Sequence, residues 1–317
     1  MGETLEQSPR GGLGRLALGT ALFALFAPLP LLAFPLAALL MATPSRTRAE
    51  LIIGVLAAAT SVAWLLLPGP LPEQLVRAAL VLTTVAFVGM TLVTRLSFTH
   101  RSLFALTVAA AGIALLFALF GWSWDEVTWW VRSRTSYATR LAVSGLRVAA
   151  RTENSALLGT EFDAWVATSS EIASSFFPAL VALELVLGMA LATSLYHRVS
   201  RTPRGARLGR LSEFRFSEHL GWAAVIPLVI VLLPRLAAFK VAASNLLLVT
   251  GALYALRGLA VAVAGAAFAG SGPLTAVFAV VAGFFLLPVV LGGAVLLGVL
   301  DAGVDLRRRW TQPPASD

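Results

Sequence analysis

The sequence contains no cysteine. Disulfides, thiolate nucleophiles and cysteine-ligated metals are excluded, and the chain tolerates any redox compartment. Histidine is almost as scarce. His100, His197 and His219 are the only three, and each falls at the end of an apolar segment. An intramembrane serine protease needs a base beside its serine at membrane depth. The small-residue run "GSG" at Gly270 has none, so it reads as a turn before Pro273. Membrane metalloproteases place histidine and glutamate one helical turn apart, and no segment holds such a pair. The phosphate-binding pattern GxxxxGK[ST] is missing as well, so any ATP hydrolysis would belong to a separate subunit. No catalytic residue, metal site or cofactor is expected.

Charge is also in short supply. Charged residues make up 13% of the chain, where a soluble domain carries roughly a quarter. Hydrophobic residues make up 58%, and the mean hydropathy is +0.85. They fall in long blocks at 15–43, 51–67, 74–95, 102–121, 172–196, 219–237, 241–268 and 273–301. Runs of about 20 apolar residues read as membrane-spanning helices. The expected fold is therefore all-α, a polytopic transmembrane helical bundle with about eight to ten membrane segments. It is expected to form a single integral-membrane domain over residues 1–317, and the lipid bilayer is its first partner.

The net charge of +8 does not point to nucleic acid. The basic residues, all arginine except Lys240, sit in short connections between apolar blocks, which is the positive-inside pattern of membrane proteins. The N-terminal stretch has Arg10 and Arg15 before an apolar run, like a signal peptide. No small-x-small cleavage site follows, and Pro28, Pro30 and Pro35 arrive instead, so an uncleaved first membrane segment is expected.

Proline breaks block 15–43 and, at Pro288, block 273–301. Each is long for one helix and short for two, so each crosses once or twice. Charge parity favours two. The linker 197–219, with Arg198, Arg201, Arg204, Arg207, Arg210 and Arg215, should be a basic cytoplasmic loop, and Arg95 and Arg101 mark 95–101 as cytoplasmic. Both termini carry arginines, which places them inside a bacterial cytoplasmic membrane and calls for an even number of crossings in each block, by two short helices or a re-entrant hairpin. Single kinked helices would instead put both termini outside.

The one long polar stretch, 122–171, then lies outside the cytoplasm. Ser123 and Glu126 have capping-box spacing. Trp122, Trp124, Trp129 and Trp130 cluster as aromatic residues do at an interface. An interfacial amphipathic helical insertion is expected, either a plain connection or a lid over an outward-facing cavity.

Two ionisable residues lie deep in apolar blocks, Glu184 and Arg257. A charge at the centre of a spanning helix costs roughly 2.5–3.5 kcal/mol and pairs inside the protein. Counted from the block ends, both fall at similar depth, so an ion pair between them is expected, serving either helix register or a small-molecule ligand. Thr250 and Tyr254 share the face of Arg257, and Asn245 lies near the outer end of the same segment. Gly258, Ala262 and Ala266 form a separate small-residue ridge suited to close helix approach. At the C-terminus, Asp301, Asp305, Arg308 and Arg309 have helical pairing distances and form an expected interfacial charge cluster, either an electrostatic staple or a docking site for another protein.

The stretches "LSEFRF", "SNLLL", "LRGLAV" and "LGVLDAGVDLRRR", with the proline-rich opening "FAPLPLLAFPLAALL", resemble the YybS-like predicted membrane proteins of bacteria. The resemblance spans most of the chain and is firmest in its last hundred or so residues. That family has no established activity and no agreed catalytic residues. In outline it looks similar to the substrate-binding membrane subunits of energy-coupling-factor vitamin transporters. The implied role is a small-molecule binding or transport subunit that borrows a separate ATPase. The alternative is a non-transporting membrane scaffold that docks cytoplasmic proteins on loop 197–219 and the tail.

Overall fold

Proline sets the first boundaries. The computed structural model describes residues 11–43, 47–150, 159–216, 218–270, 272, 283 and 285–307. Helix α1 (Gly11–Phe26) stops before Pro28, and α2 (Pro30–Met41) begins on Pro30. Proline suits a first helical turn because its missing N–H is one that would have no partner there. Block 15–43 is thus two short helices, as expected.

The chain divides into two compact units, Met1–Leu208 and Gly209–Asp317. In the first, α2 is surrounded by α3 (Arg48–Leu66), α4 (Leu71–Val93) and α8 (Phe177–Val199). Its 12 residues reach only about 18 Å, short of the roughly 30 Å hydrocarbon core. Leu31, Leu36, Leu39 and Leu40 are buried against Leu80, Phe87, Leu185 and Met189. Lipid tails are as apolar as leucine, so helix association here rests on close packing rather than on expelling water. Gly188 supplies the closeness: a methyl group on it would lie 2.5 Å from the Leu31 carbonyl oxygen.

Helix α5 (Phe98–Phe120) returns along α4, and α6 (Trp124–Ala150) crosses the far ends of both. Val127 and Val131 of α6 pack with Leu75, Ile113 and Phe117. Helix α7 (Gly159–Ser175) packs on α6, and the exposed pair Arg140–Asp163, 2.9 Å, links them. The expected insertion 122–171 is therefore two helices, with residues 151–158 outside the described set. Ser123 does cap α6, accepting from the Asp125 N–H at 3.2 Å, one residue short of the capping-box bond. The complete box stands at α3, where Thr47 and Glu50 accept each other's backbone N–H.

The basic connector after α8 is pinned by buried side chains of this unit. Glu50 Oε1 accepts the Arg201 N–H at 2.8 Å, and Tyr196 Oη accepts the Arg204 N–H at 2.8 Å. Arg101, with no exposed surface, donates to Thr91 Oγ1 at 2.7 Å and to the Ala206 carbonyl at 3.1 Å. Gly205 has φ +80°, a left-handed conformation open to glycine, and a methyl group there would meet Thr91 and Arg101 at under 3 Å. The starts of α3 and α5 and the ends of α4 and α8 thus gather at one end of the unit. Tyr196→Phe should remove one pin worth about 1 kcal/mol and make tryptic cleavage after Arg204 and Arg207 roughly fivefold faster at unchanged helix content. Limited proteolysis in detergent, with circular dichroism, checks this.

In the second unit, block 219–237 is shorter than expected. Helix α9 (Trp222–Leu232) has 11 residues and holds Pro227, and Leu233 is extended before the 3-10 turn Pro234–Phe239. Helix α10 (Lys240–Phe268) follows, then α11 (Leu287–Val304), which starts beside Pro288 after the non-helical Leu286. The opening half of block 273–301 falls on 273–282, outside the described residues. Among those described, six helical stretches are long and apolar enough to cross a membrane, and three shorter apolar helices accompany them.

Helices α10 and α11 lie antiparallel and nearly touch. A methyl group on Gly258 would sit 1.8 Å from the Ala294 carbonyl oxygen, and one on Gly298 would sit 2.0 Å from that of Tyr254. Of the expected ridge only Gly258 carries the contact, since Ala262 and Ala266 are exposed. The partner's own glycine, four residues beyond Ala294, completes the crossing.

Candidate functional site

Glu184 projects from α8 into a cavity of ≈ 680 Å³ inside the first unit. The wall opposite the connector's end is built from the α3–α4 turn, the start of α4, the middle of α6 and the first turns of α8. It is mostly apolar, and Trp64, Trp130 and Phe177 give it three aromatic rings. Four charged side chains line it: Glu73, Arg77, Arg134 and Glu184.

These charges are unevenly partnered. Glu73 lies between two guanidiniums, 3.4 Å from Arg77 and 3.5 Å from Arg134. Arg77 also donates to the Leu67 carbonyl, sits 5.1 Å from the Trp64 ring centre, and leaves its buried Nε without a partner. Arg134 covers Trp130 at the same distance of 5.1 Å. Among the described residues Glu184 has neither a salt bridge nor a hydrogen bond. The sequence pointed to Glu184 but to none of the other three. Arg77 and Glu73 look like ordinary residues opening a helix, and Trp64 like an interfacial anchor.

Arg257 has a different carboxylate from the one expected. Its Nε donates to Asp301 Oδ2 at 2.8 Å, and its Nη2 donates to the Asp301 backbone oxygen at 2.9 Å. Arg307 Nη2 meets the same Oδ2 at 2.8 Å. Asp301 has no exposed surface, Arg257 5% and Arg307 7%, so the two guanidiniums share one carboxylate out of water. The expected Glu184–Arg257 pair is corrected accordingly. Depth counted along a sequence fixes a level in the bundle but not which helix stands next at that level.

The network reaches the segment before α9. Arg307 Nη1 donates to the Ser212 and Phe214 carbonyls at 2.9 and 3.1 Å. Phe216 lies under the Arg257 guanidinium at 5.2 Å and meets the Tyr254 ring edge-on at 5.1 Å. Thr250, Tyr254 and Arg257 are all buried on one face, as their spacing requires. Thr250 and Asn245 bond carbonyls of their own helix, those of Leu246 and Val241, each at 2.9 Å.

The C-terminal cluster is distributed differently from its linear spacing. Asp301 is interior, and Asp305 binds the exposed Arg215 through both oxygens, at 3.0 and 3.1 Å. Asp305 ends α11 in the left-handed conformation, φ 47°. Arg308 and Arg309 lie outside the described residues. The stretches "LSEFRF", "LRGLAV" and "LDAGVDLR" thus meet in one buried network that sequence spacing alone divided into two.

Long apolar helices in both units, with the buried Arg257 of α10 paired to Asp301 inside the second, define a polytopic integral membrane protein that contacts the lipid bilayer. The chain belongs to the family described as "Predicted membrane protein (DUF2232)", whose model matches residues 16–302. No curated protein and no solved structure matches it.

Proposed function

We propose that this membrane protein is a small-molecule binding subunit, with the cavity around Glu184 as its site. The observation that carries the reading is that cavity: ≈ 680 Å³, within the ≈ 300–1,000 Å³ of ligand pockets, mostly apolar and furnished with a few convergent charged groups. Helix α6 forms one wall, which supports the lid reading of 122–171. The orientation follows from the arginines. Arg101, Arg201, Arg204 and Arg207 collect at the other end of the unit, which the positive-inside rule assigns to the bacterial cytoplasm. The cavity then opens outward. Pro28, between α1 and α2, lines it, so α1 begins toward the cytoplasmic end, which fits an internal N-terminus. Arg307, Arg308 and Arg309 assign the C-terminus to the same side by the same rule. Any ATP hydrolysis coupled to transport would come from a separate subunit, because the chain has no phosphate-binding loop.

A second reading, a scaffold for acidic cytoplasmic proteins, rests on the exposed Arg201, Arg204, Arg207 and Arg210 of the connector. Native mass spectrometry of the purified protein separates the two. A binder retains a small molecule, and Val181→Trp, which fills the cavity, loses that mass while remaining monodisperse. A wild-type spectrum without bound mass, with acidic proteins co-purifying, overturns the binding reading.

A further inference from the structure

We propose that the ligand is a zwitterionic amphiphile, carrying an ammonium with N–H donors and an anionic group on an apolar body. This deepens the binding reading and rests on it. The four charges of the cavity sum to zero, but they do not cancel locally. On the α4–α6 wall one carboxylate, Glu73, serves two guanidiniums at 3.4 and 3.5 Å. Charge-assisted contacts are normally about 2.7–2.9 Å, and Arg257 reaches 2.8 Å in the other unit. The Glu73 contacts are therefore loose, and that wall keeps one positive charge in surplus, with the buried Arg77 Nε still without an acceptor. On α8, the Glu184 carboxyl has neither a salt bridge nor a hydrogen bond among the described residues, so it offers the one free acidic group of the cavity. A net-neutral ligand with both charges satisfies both walls, whereas a purely anionic or cationic one leaves the other wall unbalanced.

The kind of cation follows from the aromatic rings. Quaternary ammonium groups are held by cages of several open aromatic faces, but here Arg77 and Arg134 cover Trp64 and Trp130, each at 5.1 Å, which leaves Phe177 as a single ring and no cage. What remains for the cation is a carboxylate, which accepts hydrogen bonds that an ammonium bearing N–H groups donates and a quaternary one cannot. The rest of the wall, including Val76, Val131, Leu180 and Val181, is apolar and suits an aliphatic body.

Two sources offer this chemistry, the headgroup of an aminophospholipid and a free apolar amino acid. Full-length protein is placed in nanodiscs of phosphatidylethanolamine or phosphatidylcholine, and native mass spectra are compared for retained lipid. In parallel, protein in phosphatidylcholine nanodiscs is titrated with leucine, followed by tryptophan fluorescence. Retention of phosphatidylethanolamine over phosphatidylcholine by about tenfold or more identifies the lipid source, and saturable leucine binding identifies the free one. In either arm Glu184→Gln weakens the favoured ligand about tenfold, and so does Arg134→Gln, whose side chain is largely exposed and spares the fold. Equal retention of both lipids with no leucine response overturns the zwitterion assignment. If a different molecule is then found bound, the binding reading survives, and if nothing is bound both fall.

Discussion

Asp301→Ala should unfold the second unit's helix pair. The substitution leaves two guanidiniums, Arg257 and Arg307, buried with no carboxylate between them. Breaking a buried pair by removing one partner costs about 3–5 kcal/mol, because the remaining charge stays desolvated. Here two charges stay, so the upper end is expected. That is a large fraction of a total stability of about 5–15 kcal/mol. Detergent-solubilised protein should lose its monodisperse chromatographic peak and its thermal transition should fall steeply. Asp301→Asn should be intermediate, since the amide oxygen still accepts a hydrogen bond but carries no charge. Asp301→Leu combined with Arg257→Met and Arg307→Met should recover much of the loss, as apolar replacements of buried ion networks often do. If the single alanine variant melts like the parent, the network is not what holds α11 against α10.

Enlarging either glycine of the α10–α11 crossing should rank next. A methyl group at position 258 or 298 would stand 1.8 or 2.0 Å from a backbone carbonyl oxygen, and a carbonyl cannot rotate aside as a side chain can. The helices must part, losing dispersion contact along the whole crossing. Overpacking typically costs about 1–3 kcal/mol and more where the obstacle is rigid. Gly258→Val and Gly298→Val should each lower the thermal transition by several degrees or abolish it. Ala262→Val, on the exposed side of the same helix, should leave it unchanged. That contrast separates a packing effect from a general intolerance of α10 to branched residues.

Much of this was legible in the residues. Apolar blocks identified the helices, prolines divided block 15–43, and the i, i+4, i+7 spacing placed Thr250, Tyr254 and Arg257 on one buried face. The polar 122–171 stretch announced its two readings, and α6 does line a cavity. Other features depended on information that linear spacing does not carry. Asp301 sits three residues before the end of its helix and looks like an interfacial residue. Only the antiparallel crossing at Gly258 and Gly298 brings it level with Arg257. Arg101 and Arg307 read as flanking charges of the positive-inside kind, yet both are buried because a connector folds back and offers them carbonyl oxygens. The Thr47–Glu50 box was readable from its T-x-x-E spacing before an apolar run. The charge asymmetry of the cavity was not, since Glu73, Arg77, Arg134 and Glu184 come from three helices far apart in sequence.

The placement of α2 also sets a schedule. One of its close contacts, Gly188 against Leu31, is made more than 150 residues later. At about 5–20 residues per second, that interval is on the order of 8–30 s of synthesis. Throughout it, a helix too short to cross the bilayer must persist with α3 and α4 beside it but without its α8 face. Among the described helices α2 is the second to leave the ribosome, and its α8 face is filled last, so the centre of the first unit closes only when α8 arrives.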